Sequence, residues 1–119
     1  MDHKLLLKEI RNKKFEKIYF LHGEEPYFID VLTKAIQDNA LEESERDFNQ
    51  SILYGKDAEV LSLISELKSY PMMAERRLVI LKEAQYFKAI EQLESYLENP
   101  ANSTIFVICY KYKTFDARK

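Results

Sequence analysis

Apolar residues recur along this chain in two alternating rhythms, one with helical spacing and one continuous. Residues 3–13 place Leu6, Leu7 and Ile10 on one side, with Lys and Arg elsewhere, and predict a short helix. Residues 17–21 (Lys-Ile-Tyr-Phe-Leu) are nearly all apolar and rich in β-formers, so they predict a buried strand. Gly23-Glu24-Glu25-Pro26 breaks that strand and opens a helix, with Pro26 suited to its first turn and the carboxylates to its positive end. Apolar pairs four apart (Tyr27/Phe28, Val31/Leu32, Ala35/Ile36) carry this helix to about Asn39. Residues 46–54 alternate more loosely and predict an exposed edge strand. Asp57 can cap a third helix carrying Val60, Leu61, Ile64 and Leu67, which Tyr70-Pro71 ends. Residues 77–81 (Arg-Leu-Val-Ile-Leu) predict a second buried strand. Phe87, Ile90, Leu93 and Leu97 mark a further helix closed near Asn99-Pro100, and residues 104–110 predict the last apolar strand.

Strands alternating with helices imply parallel crossovers, and strands apolar on both faces imply helices on both sides of the sheet. Right-handed crossovers then give an α/β fold, a three-layer sandwich around a mainly parallel sheet. In such sheets function tends to lie beyond the carboxyl ends of the strands. Those positions are the Gly23 loop, residues 55–57, Lys82-Glu83 and residues 111–113.

Composition narrows the function. The 119 residues make one domain, with 46% apolar side chains for a core and 32% charged side chains for a soluble surface. The longest apolar run, residues 105–110, is six residues, against the roughly 20 that a membrane span needs, and Met1-Asp2-His3-Lys4 leads into an amphipathic pattern and not an apolar signal core, so no secretory signal is expected. A net charge of −2 argues against a protein that coats nucleic acid. One cysteine, Cys109, permits neither an internal disulfide nor a Cys-based zinc site, and a reducing cytoplasm is the simplest setting.

The strand–turn–helix around Gly23 is the setting of a phosphate-binding loop, which needs two glycines, a Lys and a Ser or Thr. This chain reads Gly-Glu-Glu-Pro-Tyr-Phe-Ile-Asp from Gly23. Glu24 and Glu25 stand where phosphates would lie, and Pro26 removes a backbone donor. At the end of the strand 77–81, where a nucleotide hydrolase places an Asp-Glu pair, Lys82 precedes Glu83. Gly23, Glu24, Glu25, Pro26, Lys82 and Glu83 therefore read as a degenerate nucleotide site. No nucleophile–base pairing and no metal-ligand spacing is evident, so neither a cofactor nor a catalytic residue is expected.

One segment stands apart. Between a helix and the strand 77–81 runs Tyr70-Pro71-Met72-Met73-Ala74-Glu75-Arg76-Arg77. Adjacent methionines are flexible apolar knobs that suit a pocket on a partner, or they fold back as packing. The basic tail (Lys111, Lys113, Arg118, Lys119) reads as solvated surface before it reads as a DNA patch.

The stretches 17–30, 47–49 (Asp-Phe-Asn), 70–84 and 104–119 together resemble the amino-terminal domain of the bacterial DNA polymerase III delta subunit. That resemblance implies a clamp-loader subunit with an AAA+-like domain, a P-loop NTPase topology that has lost its working P-loop. It implies strand order 1-4-3-2, with the place beside the first strand open. Residues 1–119 match that first domain, and the resemblance implies a helical lid and a collar domain beyond it. It also implies the ring-shaped sliding clamp as partner, together with other loader subunits, with DNA reached indirectly through the complex and no membrane contact. Met72 and Met73 match an apolar pair that enters a clamp pocket. Well-known members carry Leu-Phe there, so Met-Met keeps apolar volume and loses aromatic stacking. Pro71, Ala74, Arg76 and Arg77 flank the pair, and the arginines either steer toward an acidic clamp rim or pair with local carboxylates. The competing reading is a small α/β nucleotide-binding or enzymatic domain with an atypical phosphate loop. A third reading is single-stranded DNA binding through the basic tail.

Overall fold

A computed structural model describes residues 3–23, 26–88 and 90–111 of the chain. Among these residues the elements run α1 (His3–Arg11), β1 (Ile18–Gly23), α2 (Pro26–Ala40), α3 (Glu43–Asn49), β2 (Gln50–Tyr54), α4 (Val60–Lys68), β3 (Arg77–Lys82), two 3₁₀ turns (Ala84–Tyr86 and Ile90–Leu93), α5 (Glu94–Glu98) and β4 (Thr104–Lys111). Among the described residues the strands form one parallel sheet in the order β1-β4-β3-β2, the order that the family resemblance implies.

The central strands explain the layering. Leu78, Val79, Ile80 and Leu81 of β3 are all fully buried, as are Phe106, Val107 and Ile108 of β4. Side chains alternate between the two faces of a strand, so such strands need cover above and below. On one face Leu78, Ile80 and Val107 pack with Ile10 of α1 and Ile36 of α2. On the other, Val79, Leu81 and Phe106 pack with Leu63 and Leu67 of α4 and Tyr96 of α5. β1 and β2 are the two edges, and Ile52 and Tyr54 of β2 remain partly in solvent.

Three local expectations are corrected. Residues 46–49 are helical, and the edge strand starts only at Gln50. The Glu42 N–H donates to Glu45 Oε1 at 2.8 Å, and Glu43 and Glu45 lie at the positive end of α3, so a short helix forms ahead of the strand. Asp57 does not cap α4. Its N–H donates to the Tyr54 carbonyl at 3.0 Å inside a turn, and Glu59 holds the cap position. Gly55 sits in that turn because a Cβ there would overlap the Glu83 carbonyl oxygen and lie 3.1 Å from the Phe87 nitrogen. The expected helix through Phe87, Ile90 and Leu93 is broken into two 3₁₀ turns and the short α5. A three-residue apolar spacing suits a 3₁₀ turn, and Glu83 enters the first one with a left-handed backbone (φ 53°).

Two buried tyrosines fasten loops to this frame. Tyr19 Oη accepts the Glu16 N–H at 2.9 Å, and Tyr96 Oη accepts the Ala101 N–H at 3.2 Å. Burial raises both phenols above their ordinary pKa of 10.0, with the accepted hydrogen bond opposing in each case. A raised acid holds its proton better in the fold, so its stabilisation is complete below pH 10 and disappears as pH climbs through the higher folded value. The melting temperature followed by circular dichroism is therefore expected to fall above about pH 10. The Tyr19→Phe/Tyr96→Phe variant, melting lower at neutral pH, is expected to lose part of that alkaline decline.

Candidate functional site

The residues singled out in the sequence fall at opposite poles of the sheet. Gly23, Lys82 and Glu83 lie at the carboxyl ends of β1 and β3, while the segment 70–76 leads into the amino end of β3.

At the carboxyl pole, β4 separates β1 from β3, and Gly23 pairs with Lys111 while Lys82 pairs with Tyr54. A recess of about 400 Å³ lies between α2 and the ends of β3 and β4, and Asp30, Lys34, Gln37 and Lys82 line it. Both signs of charge share this recess, and Pro26 at the start of α2 has no N–H to offer a phosphate. Glu83 is exposed and serves as a turn, its carbonyl accepting the Tyr86 N–H at 3.0 Å. Glu24 and Glu25 lie outside the described residues, as do Lys113, Arg118 and Lys119 of the basic tail. Among the described residues no three His, Cys, Asp or Glu side chains gather as a metal site.

The amino pole carries an exposed apolar tip. Met73 is 96% exposed and Met72 58%, while Pro71 and Ala74 are half-buried and Ala74 packs against the core. Tyr70 (88% exposed) and Phe48 (66% exposed) are further large apolar side chains near this pole. Met73 has φ 57°, the left-handed region that a side chain with a Cβ rarely enters. Strain of this kind costs about 1 kcal/mol and persists only where the surroundings fix it.

The root of the tip supplies that fixing. Asn49, the last residue of α3, is fully buried, and it accepts the Met72 N–H at 2.6 Å while donating to the Met72 carbonyl at 2.8 Å. Its second amide hydrogen goes to the Glu45 carbonyl at 3.0 Å. The buried Arg77 guanidinium pairs with the Glu66 carboxylate and donates to the Glu66 carbonyl at 3.0 Å, the Phe48 carbonyl at 3.1 Å and Ser51 Oγ at 3.2 Å. One side chain thereby ties α3, β2 and α4 together beneath the tip. Arg76 lies over the Phe15 ring (4.8 Å), donates to the Ala40 carbonyl at 3.3 Å and reaches Glu75 at 3.7 Å. Of the six residues expected to engage a partner, Met72 and Met73 are exposed, Pro71, Ala74 and Arg76 are half-buried and Arg77 is buried.

Sequence reasoning gave no role to Asn49 or Glu66. Asp47-Phe48-Asn49 was visible as a motif, but its partner lies 23 residues further on, a pairing that no local pattern reveals.

If Met73 is a strained, solvated tip, Met73→Gly relieves the backbone and removes no packing. Its unfolding free energy is expected to stay level or rise by up to about 1 kcal/mol in a denaturant titration. A fall larger than that identifies Met73 as a packed side chain.

Comparison with known proteins adds identity to this geometry. The chain is 28% identical over 122 residues to the DNA polymerase III subunit delta of Bacillus subtilis (strain 168), which covers 94% of this chain and 35% of that protein. Its fold superposes on the Bacillus subtilis DNA clamp loader delta protein (YqeN) with a TM-score of 0.89 at 27% identity, over 99% of this chain and 38% of that one. The chain thus spans little more than a third of the length of either relative. The family model for the DNA polymerase III delta subunit matches residues 19–119, most of the chain, and this places the chain in the DNA polymerase III delta subunit family.

Proposed function

We propose that this chain is the amino-terminal, AAA+-like domain of a clamp-loader delta subunit, and that it engages the sliding clamp through Met72 and Met73. The observation that carries the reading is the pair of exposed methionines on a loop held from below, one of them in a strained backbone conformation. Single exposed apolar side chains are ordinary, but neighbouring ones that form a patch mark an interaction surface, and thioethers adapt readily to an apolar pocket.

In this reading the domain has no catalysis of its own and works by differential affinity. It binds an opened ring better than a closed one, so binding shifts the ring toward opening. Hydrolysis of ATP takes place in sister subunits and governs when this tip is presented. The degenerate pole supports the division of labour, since Lys82 and Pro26 replace groups that a nucleotide and its metal require. Pro71 and Ala74 shape the tip, whereas Arg76 and Arg77, tied to local groups, hold it. DNA is reached through the assembled loader, and the protein works in the cytoplasm. Among the described residues no helix is long and apolar enough to cross a membrane.

The Met72→Ala/Met73→Ala variant is expected to lose at least ten-fold in clamp affinity by surface plasmon resonance while melting as the parent does. Unchanged affinity removes the assignment of the tip. Titration of the parent chain with ATP and Mg²⁺ in a calorimeter is expected to give no heat of binding. A saturable heat favours the competing nucleotide-binding reading instead.

A further inference from the structure

We infer that Asn49 is the positioning residue of the methionine tip, a side-chain brace that sets Met72 and Met73 in their binding geometry before the partner arrives. The inference rests on the tip reading above.

Asn49 offers the Met72 backbone what a neighbouring strand would offer. Its amide oxygen accepts the Met72 N–H at 2.6 Å and its amide nitrogen donates to the Met72 carbonyl at 2.8 Å. Both partners belong to one residue, so the exchange fixes the peptide on each side of Met72, and with it the residue that follows. That residue is Met73, with φ 57° and almost complete exposure. Nothing in the packing of Met73 itself holds this conformation, so the restraint comes from its neighbours.

Asn49 is in turn fixed. It is fully buried, and its remaining N–H is spent on the Glu45 carbonyl, one turn back in α3. Both donors therefore meet carbonyl oxygens and the acceptor meets an N–H, an arrangement that only one orientation of the amide satisfies. The adjoining Phe48 carbonyl is held by the Arg77 guanidinium, whose own residue begins β3 just beyond the tip. The loop is thus fastened at Met72 and at Arg77, with residues 73–76 between the fastenings.

A tip fixed in advance binds without first paying an ordering cost, and a loose tip lowers the apparent affinity by the fraction of time it spends in the competent shape. Asn49 has no exposed surface with which to touch a partner, so it acts only through the loop.

The test uses the full chain and the sliding clamp ring of the same organism. Hydrogen exchange on the parent is expected to show the Met72 amide at least ten-fold slower than the Met73 amide, and equal rates overturn the brace without any variant. Asn49→Ala is expected to speed Met72 exchange at least ten-fold, leave the amides of β3 and β4 protected, and weaken clamp binding at least ten-fold. A folded Asn49→Ala variant that binds within two-fold of the parent overturns the inference. If Met72→Ala/Met73→Ala loses affinity and Asn49→Ala does not, the brace fails and the tip stands. If neither variant changes affinity, the tip reading fails as well.

Discussion

Everything in this molecule is arranged around two adjacent strands that must be kept dry on both faces. β3 and β4 present no wet side between Leu78 and Leu81 or between Phe106 and Ile108. That constraint calls for α1 and α2 on one face and α4 and α5 on the other. It makes the connections long crossovers and leaves β1 and β2 as edges. It also sorts the loops into two poles, because in a parallel sheet every strand begins at one end and finishes at the other.

The two poles have diverged in character. At the carboxyl pole the turns are closed by backbone contacts: Gly55 lies tight against Glu83, its N–H donating to the Lys82 carbonyl at 2.8 Å. The space between α2 and the strand ends is lined by side chains of opposite charge. At the amino pole two polar side chains are drawn inward while several large apolar ones face out. Arg77 and Asn49 are buried, and Met72, Met73, Tyr70 and Phe48 are exposed. This inversion of the usual burial preference follows from the backbone. A loop that gives its side chains to solvent satisfies its peptide groups through neighbours, and a guanidinium with five donors together with an amide with both polarities can meet several backbone groups from one position.

Much of this was legible in the residues. Runs such as 77–81 and 104–110 leave no polar side for solvent, so buried parallel strands follow directly from them. The sequence after Gly23 lacks the second glycine, the Lys and the Ser or Thr of an ordinary phosphate loop. The loose alternation of residues 46–49 resembles an edge strand, whereas the carboxylates of Glu42, Glu43 and Glu45 favour a helical turn. The run after Glu83 resembles one helix because apolar spacings of three and four are hard to tell apart over two turns.

The sequence by itself determined which segments are buried, that the sheet is parallel and covered on both sides, and that an apolar pair sits just ahead of a central strand. These are local properties, written in the periodicity of each segment. Only the tertiary structure decided that Arg77 turns inward, that Met73 points out on a strained backbone, and that Asn49 meets Met72. Each depends on groups far apart in the chain arriving at one end of the sheet, and a hydrogen bond between such groups leaves no trace in the spacing of either segment.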